Sequence, residues 1–293
     1  MARVVSVGRQ DFEKLREKNN FYIDKTRFLV DWWRADDEVT LITRPRRFGK
    51  TLNMSMAEKF FSITNAGKGR LFEGLKVWED KDFRKLQGSY PVISLSFANV
   101  KEREYASAVE RICQILAGLY QEHRFLLDSS GLSEEEKKIF RSVSVHMPEV
   151  TASMSLHWLS KFLYSHYGKK VIILLDEYDT PMQEAYVNGY WQEMVSLIRS
   201  MFNAAFKTNP YLERAIMTGV TRISRESVFS DLNNLEVVTT TSEKYADSFG
   251  FTEKEVFEAL EEFGLSDRRK EMKRWYDGFT FGNVRDIYNP WSV

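Results

Sequence analysis

The chain has 293 residues and a hydrophobic content of 43%, enough for one large domain or for a core domain with a smaller appendage. Lys and Arg total 42, as do Asp and Glu, so net charge gives no support to a nucleic-acid or membrane partner. One cysteine excludes an internal disulfide, no signal peptide or membrane-length apolar run is found, and a cytoplasmic protein is expected.

Short apolar runs separated by helical patterns organise most of the chain. Runs of this length, rich in Val and Ile and bounded by polar residues, predict strands that are covered on both faces. Strands that alternate with helices predict a parallel α/β sheet. The five runs are residues 39–43, 90–97, 170–179, 214–220 and 236–241.

The first predicted strand runs into Gly49-Lys50-Thr51, and a helical pattern follows at once. This is the setting of a phosphate-binding loop, in which backbone amides and a helix N-terminus hold phosphate groups. Lys50 would place its charge on the β- and γ-phosphates, and the Thr51 hydroxyl would ligate Mg²⁺. Arg44 stands where the usual loop pattern has a glycine, so the alternative is a basic surface loop that contains these residues by chance. The predicted nucleotide contacts are Arg46, Arg47, Phe48, Gly49, Lys50, Thr51 and Leu52.

Two carboxylates follow the apolar run "VIILL" of the third predicted strand. Asp176 is placed to hold Mg²⁺ together with Thr51, and Glu177 is placed to polarise the attacking water. Alone, the pair is equally typical of a strand that ends in a charged loop. Downstream of a strand, the Gly-Lys-Thr sequence and a helix, it predicts a nucleotide site.

The fourth predicted strand is followed by "TRISRES". In P-loop ATPases of the additional-strand class, a polar residue at the tip of this strand senses the γ-phosphate, which makes Thr218 and Thr221 candidates. Arg222 and Arg225 could neutralise charge that develops during phosphoryl transfer, in this chain's site or in a neighbouring subunit's. For each arginine the alternative is a surface ion pair.

Several longer motifs together resemble the bacterial and archaeal AAA-ATPase-like proteins. The family's own loop reads "RPRRFGKT", so Arg44 is the family form of the loop. The resemblance implies ATP binding and hydrolysis, and a nuclease-like domain of the PD-(D/E)XK type in full-length relatives. This sequence ends where that domain would begin, so we expect either a piece of a longer protein or a short member. The motifs are "YIDKT", "LITRPRRFGKTLNMSM", "DEYDTP", "SVFSDLNNL", "KYADSFGFTEKEV" and "WYDGFTFG…IYNPWSV".

The strand order, together with the change in composition after the fifth predicted strand, predicts the architecture. We expect an additional-strand, AAA-like P-loop NTPase core in residues 1–245, with a five-stranded, mainly parallel sheet between helices and an N-terminal extension. Residues 246–293, rich in aromatics and glycine, would form a small helical lid subdomain whose first helix begins with a capping box of Thr252 and Glu255.

The segment "VSVGRQDFEKL" resembles the one that touches the adenine base in related ATPases. Val7, Gly8 and Tyr22 are therefore candidate base contacts, the alternative being that this segment packs on the core. No Asn-Lys-x-Asp pattern for guanine is present, which favours adenine.

The leading hypothesis is a Mg²⁺-dependent ATPase that drives or gates an attached or partner effector. One alternative is a nucleotide-gated switch with little turnover. Another is a nucleic-acid-binding module that uses "RPRR" as a basic patch, although the charge balance and the α/β pattern argue against that as the sole function. The expected partners are ATP, further copies of the chain and a nuclease-like domain or protein; nucleic acid would be contacted only indirectly, and no membrane is expected.

Overall fold

The computed structural model describes residues 3–223, 228–229, 231–276 and 278–293. The chain divides into two compact units. The first consists of Met1–Asp36, Ile42–Ser89 and Val237–Val293, and the second of Asp37–Leu41 and Tyr90–Glu236. The N-terminal segments and residues 42–89 thus group with the C-terminal part of the chain, and the domain boundary after residue 245 stays a prediction.

Helices and strands alternate as the sequence predicts. The α-helices are α1 (Phe12–Glu17), α2 (Arg27–Ala35), α3 (Lys50–Phe61), α4 (Tyr105–Glu122), α5 (Glu134–Ser142), α6 (Glu149–Tyr167), α7 (Thr180–Asn188), α8 (Trp191–Phe202), α9 (Glu253–Glu262) and α10 (Arg269–Trp275). The strands are β1 (Val39–Thr43), β2 (Val92–Ser96), β3 (Val171–Asp176), β4 (Leu212–Gly219), β5 (Leu235–Val238), β6 (Phe251–Thr252), β7 (Phe279–Phe281) and β8 (Val284–Tyr288). Within the described ranges, no helix is long and apolar enough to cross a membrane.

The second unit contains most of a five-stranded sheet with the strand order β2-β3-β4-β1-β5. Strands β1 and β5 have their first residues in this unit. The β2–β3 and β3–β4 pairs are parallel, and Ser96 lies opposite Asp176. Every residue of β3 is buried, as its run of apolar residues predicts. The five predicted strands and the α/β class are therefore confirmed.

Helices of the second unit supply the rest of its core. Cys113 lies buried in α4, the position expected for a small apolar residue. Burial raises the pKa of its thiol. α6 is capped by the residue after it, Gly168, whose φ of 66° is the left-handed conformation that glycine adopts readily.

The first unit ends in a small three-stranded sheet in the order β6-β8-β7. Both of its strand pairs are antiparallel. Thr252 and Glu255 form the predicted capping box at the start of α9. The predicted helical subdomain after residue 246 contains α9 and α10, but it also contains a hairpin of β7 and β8 that turns at Gly282. A Cβ at Gly282 would approach the Cα of Glu243 to 2.6 Å, so the turn depends on glycine.

Candidate functional site

The candidate residues form two groups, one in each unit. The loop residues 44–52 and the N-terminal candidates belong to the first unit, and the residues that follow β3 and β4 belong to the second.

Lys50 begins α3 and is held inside its own loop. Gly49, the residue before the helix, has a φ of 82° and no side chain that could cap the helix. The Lys50 ammonium is buried and donates to the carbonyl oxygens of Arg44 at 3.1 Å and Pro45 at 3.3 Å. Apart from Gly49 itself and its neighbours in the chain, no described atom lies within 4 Å of the position that a Cβ on Gly49 would take. An uncapped helix start beside a fixed ammonium group is suited to phosphate oxygens.

Arg44 is fully buried and supports the loop from within the first unit. Its guanidinium donates to the carbonyl oxygens of Thr43 at 3.0 Å and Tyr245 at 3.2 Å. It also lies over the rings of Phe281 at 4.9 Å and Phe249 at 5.6 Å. Burial lowers the pKa of Arg44 to about 10. The residue that replaces the usual glycine is therefore a structural support for the loop, a role that sequence reasoning missed.

Two further contacts attach the loop to residues 245–250. The carbonyl oxygen of Phe48 accepts from Gly250 N at 3.1 Å, and Asn53 in α3 donates to the Ser248 carbonyl at 2.9 Å. The Phe48 ring is buried and packs 5.0 Å from the ring of Phe279. In this arrangement the side chain of Phe48 belongs to the core. Thr51 and Leu52, in the first turn of α3, are half-buried.

Arg46 and Arg47 are exposed, and Arg47 has a φ of 71°. The Arg47 guanidinium lies 4.6 Å from the ring centre of Trp291. A Cβ on Gly8 would lie 3.8 Å from the same ring, so the structure brings Gly8 and Arg47 together at Trp291.

The other two N-terminal candidates differ in their surroundings. Val7 is exposed. The Tyr22 hydroxyl lies 3.3 Å from Sδ of Met56 in α3 and accepts from the backbone N–H of Lys25. Burial raises the pKa of Tyr22 above the ordinary value, at which the phenol is already protonated at neutral pH. This tyrosine is anchored against α3.

Asp176 and Thr218 meet at the ends of β3 and β4. The Thr218 hydroxyl donates to Oδ1 of Asp176, and both residues are buried. Glu177 follows with a φ of 53°, an unusual conformation for a residue other than glycine. The next N–H, that of Tyr178, donates to the Thr218 carbonyl at 3.0 Å, so the turn at Glu177 is held on both sides.

The remaining candidates follow β4. Thr221 directs its hydroxyl to Asp179 at 2.7 Å, and Arg222 is exposed. Arg225 lies outside the described residues.

The donor types fit the expected ligands. A lysine ammonium and the amides of a helix start suit phosphate, and a threonine hydroxyl and a carboxylate suit Mg²⁺, which usually takes one or two carboxylates and keeps several waters. No group of three or more His, Cys, Asp or Glu that could hold a metal by itself occurs among the described residues.

Comparisons with known proteins give one curated relative and one family model. An uncharacterized protein in the vnfD 5' region of Azotobacter chroococcum mcd 1 is 28% identical over 291 residues, which cover 98% of this chain and 50% of that protein. The chain thus spans about half the length of this curated relative. No solved structure matches. The family model described as "Predicted AAA-ATPase" matches residues 6–229. The chain therefore belongs to the AAA-ATPase-like family.

Proposed function

We propose that this protein binds ATP with Mg²⁺ and hydrolyses it to ADP and phosphate, and that the nucleotide state drives or gates an attached or partner effector. The observation that carries the proposal is the loop, in which the buried Lys50 ammonium donates to the Arg44 carbonyl at the start of α3, a helix that Gly49 precedes. Family membership supports nucleotide binding as the general activity.

The loop group supplies phosphate binding in this proposal. Lys50 gives up its weak contacts to two loop carbonyls and binds the β- and γ-phosphates, where a charge-assisted contact is stronger. The amides of Gly49, Lys50 and Thr51 bind phosphate oxygens. The buried Arg44 guanidinium stabilises the conformation of the loop through its bonds to the Thr43 and Tyr245 carbonyls.

The residues that follow β3 and β4 supply the second metal ligand, beside Thr51 of the loop, and the chemistry. Thr51 and Asp176 would hold Mg²⁺, which when bound neutralises charge on the phosphates. The bond from Thr218 fixes the carboxylate of Asp176. Glu177 orients and polarises the attacking water, and its left-handed backbone, a conformation that costs roughly 1–3 kcal/mol, is consistent with a site under functional constraint.

Phosphate release from MgATP tests the proposal. Lys50→Ala should abolish turnover, and Glu177→Gln should lower kcat by roughly 100-fold or more while ATP binding persists, because only the group that activates water is lost. Turnover of Lys50→Ala equal to that of the parent protein would overturn the assignment.

A nucleotide-gated switch with little turnover is the second candidate. The observation that favours it is the attachment of the loop to residues 245–250 through Arg44, Phe48 and Asn53, by which nucleotide occupancy could be transmitted to the C-terminal sheet. Turnover measured against the nucleotide content of the purified protein separates the two functions. The nucleic-acid alternative is weakened because Arg44, one of the three arginines of its basic patch, is buried.

A further inference from the structure

Tyr178 and Asp179, directly after the two carboxylates, bind the loop that follows β4. The 219–223 loop runs from Gly219, the last residue of β4, to Ile223. Oδ2 of Asp179 accepts from the backbone N–H groups of Val220 at 3.0 Å and Thr221 at 2.7 Å, and from the Thr221 hydroxyl at 2.7 Å. Asp179 and the 219–223 loop both lie in the second unit.

Tyr178 completes the attachment. Its hydroxyl donates to the Thr221 carbonyl at 2.8 Å and accepts from Ile223 N at 3.3 Å. The side chain is fully buried, and its ring lies 5.6 Å from that of Phe229. The backbone on each side of Arg222 is thus bonded to one phenol, while the Arg222 side chain is exposed.

The contact is close-packed where β4 ends. A Cβ on Gly219 would approach Oδ1 of Asp179 to 2.5 Å and Cε1 of Tyr178 to 2.6 Å. Oδ1 of Asp179 is buried and has no hydrogen-bond partner among the described residues. The hydrogen bonds that Oδ2 accepts are therefore the ones that hold the carboxylate in this position. A buried carboxylate with one bare oxygen costs free energy, which the hydrogen bonds to the loop must offset.

We propose that Tyr178 and Asp179 are positioning residues. They hold the backbone of the 219–223 loop and so fix the position of Arg222 relative to Asp176 and Glu177. The four consecutive residues "DEYD" then carry two tasks: the first two act on the nucleotide and its metal, and the second two hold the loop. Thr221 is part of the attachment, since its hydroxyl and both of its backbone polar groups are bound within it. This inference rests on the proposed ATPase function.

The first part of the test needs no nucleotide. Tyr178→Phe keeps the ring and removes the hydroxyl, and Tyr186→Phe, at an exposed position in α7, is the matched control. In hydrogen–deuterium exchange of the full chain, Tyr178→Phe should speed exchange in a peptide that covers residues 219–223 by roughly fivefold or more. Exchange equal to that of the control would overturn the attachment.

The second part uses steady-state ATP hydrolysis. Tyr178→Phe should lower kcat roughly 10-fold and change KM less than about 2-fold, because a displaced arginine affects the transition state more than binding. Tyr178→Phe combined with Arg222→Ala should be no slower than Arg222→Ala alone. Losses that multiply, or an unchanged kcat in Tyr178→Phe, would overturn the positioning role.

Failure of the parent function is distinguishable from failure of this inference. A parent protein that neither binds nor hydrolyses ATP refutes the proposed function and, with it, the role of the loop in catalysis. Exchange then still decides whether Tyr178 holds the loop. An active parent with normal loop exchange in Tyr178→Phe refutes the positioning inference alone.

Discussion

Replacing Arg44 by methionine isolates what the buried guanidinium contributes. Methionine fills most of the same space but cannot donate to the carbonyls of Thr43 and Tyr245, and it brings no charge to the rings of Phe249 and Phe281. If Arg44 supports the loop, Arg44→Met should destabilise the protein and weaken nucleotide binding together.

The expected magnitude follows from three contributions. Hydrogen bonds from a charged donor are worth about 1.5–3 kcal/mol each, and Arg44 makes two of them. A desolvated cation over aromatic rings adds about 2 kcal/mol. Against these, the lowering of the Arg44 pKa from its ordinary 12.5 to about 10 corresponds to a burial cost of roughly 3 kcal/mol, which methionine removes. The net loss in the free energy of unfolding is roughly 2–5 kcal/mol.

Urea denaturation followed by circular dichroism measures this loss. Arg27→Met is the control, because Arg27 is exposed on α2, and its effect should stay within about 0.5 kcal/mol. Buried charges can be replaced by apolar residues without loss when their contacts only offset desolvation. An Arg44→Met protein as stable as the parent would show that to be the case here and would refute a supporting role for the guanidinium.

Three further predictions concern other buried groups. Lys25→Met should lower the free energy of unfolding by roughly 3–5 kcal/mol, because the Glu255 carboxylate 2.6 Å away loses its partner. In urea denaturation, a double variant with Glu255→Gln should recover part of this loss, and no recovery would argue against the ion pair. Gly250→Ala should lower the melting temperature, because a Cβ would lie 2.7 Å from the Phe48 ring at a φ of 79°; an unchanged melting temperature would contradict the close contact. Burial raises the pKa of Tyr120, so its contribution to stability is complete below about pH 10 and is lost as pH rises above it. The stability advantage of the parent over Tyr120→Phe should therefore shrink by about 1.4 kcal/mol per pH unit above pH 10, and a constant difference in urea titrations would refute this.

The parallel sheet was predictable because buried strands have a strong signature. The run "VIILL" with acids after it predicted both β3 and the place of Asp176, and β1 was predicted at its observed bounds. The strand–loop–helix order around Lys50 is equally local, since the loop lies directly between β1 and α3.

Contacts between distant segments could not be read from local patterns. Buried arginines are rare, so a local pattern presents Arg44 only as a departure from the usual glycine. Its partners Tyr245 and Phe281 lie 201 residues or more away in the chain. Asp179 directly precedes α7, and an aspartate in that position usually caps the helix with its side chain. Here the carboxylate makes no cap and instead binds the 219–223 loop. The short strands β6 and β7 have too few residues to show an alternating pattern.

Calorimetric titration of the protein with MgATP tests the central claim most directly. The parent and Lys14→Ala, a control at an exposed lysine of α1, should bind ATP with equal affinity. Lys50→Ala should lose binding or weaken it by about 100-fold or more, because the charge at the loop is gone. Equal affinity in the parent and in Lys50→Ala, or no binding by the parent, would contradict a phosphate-binding loop at Gly49-Lys50-Thr51.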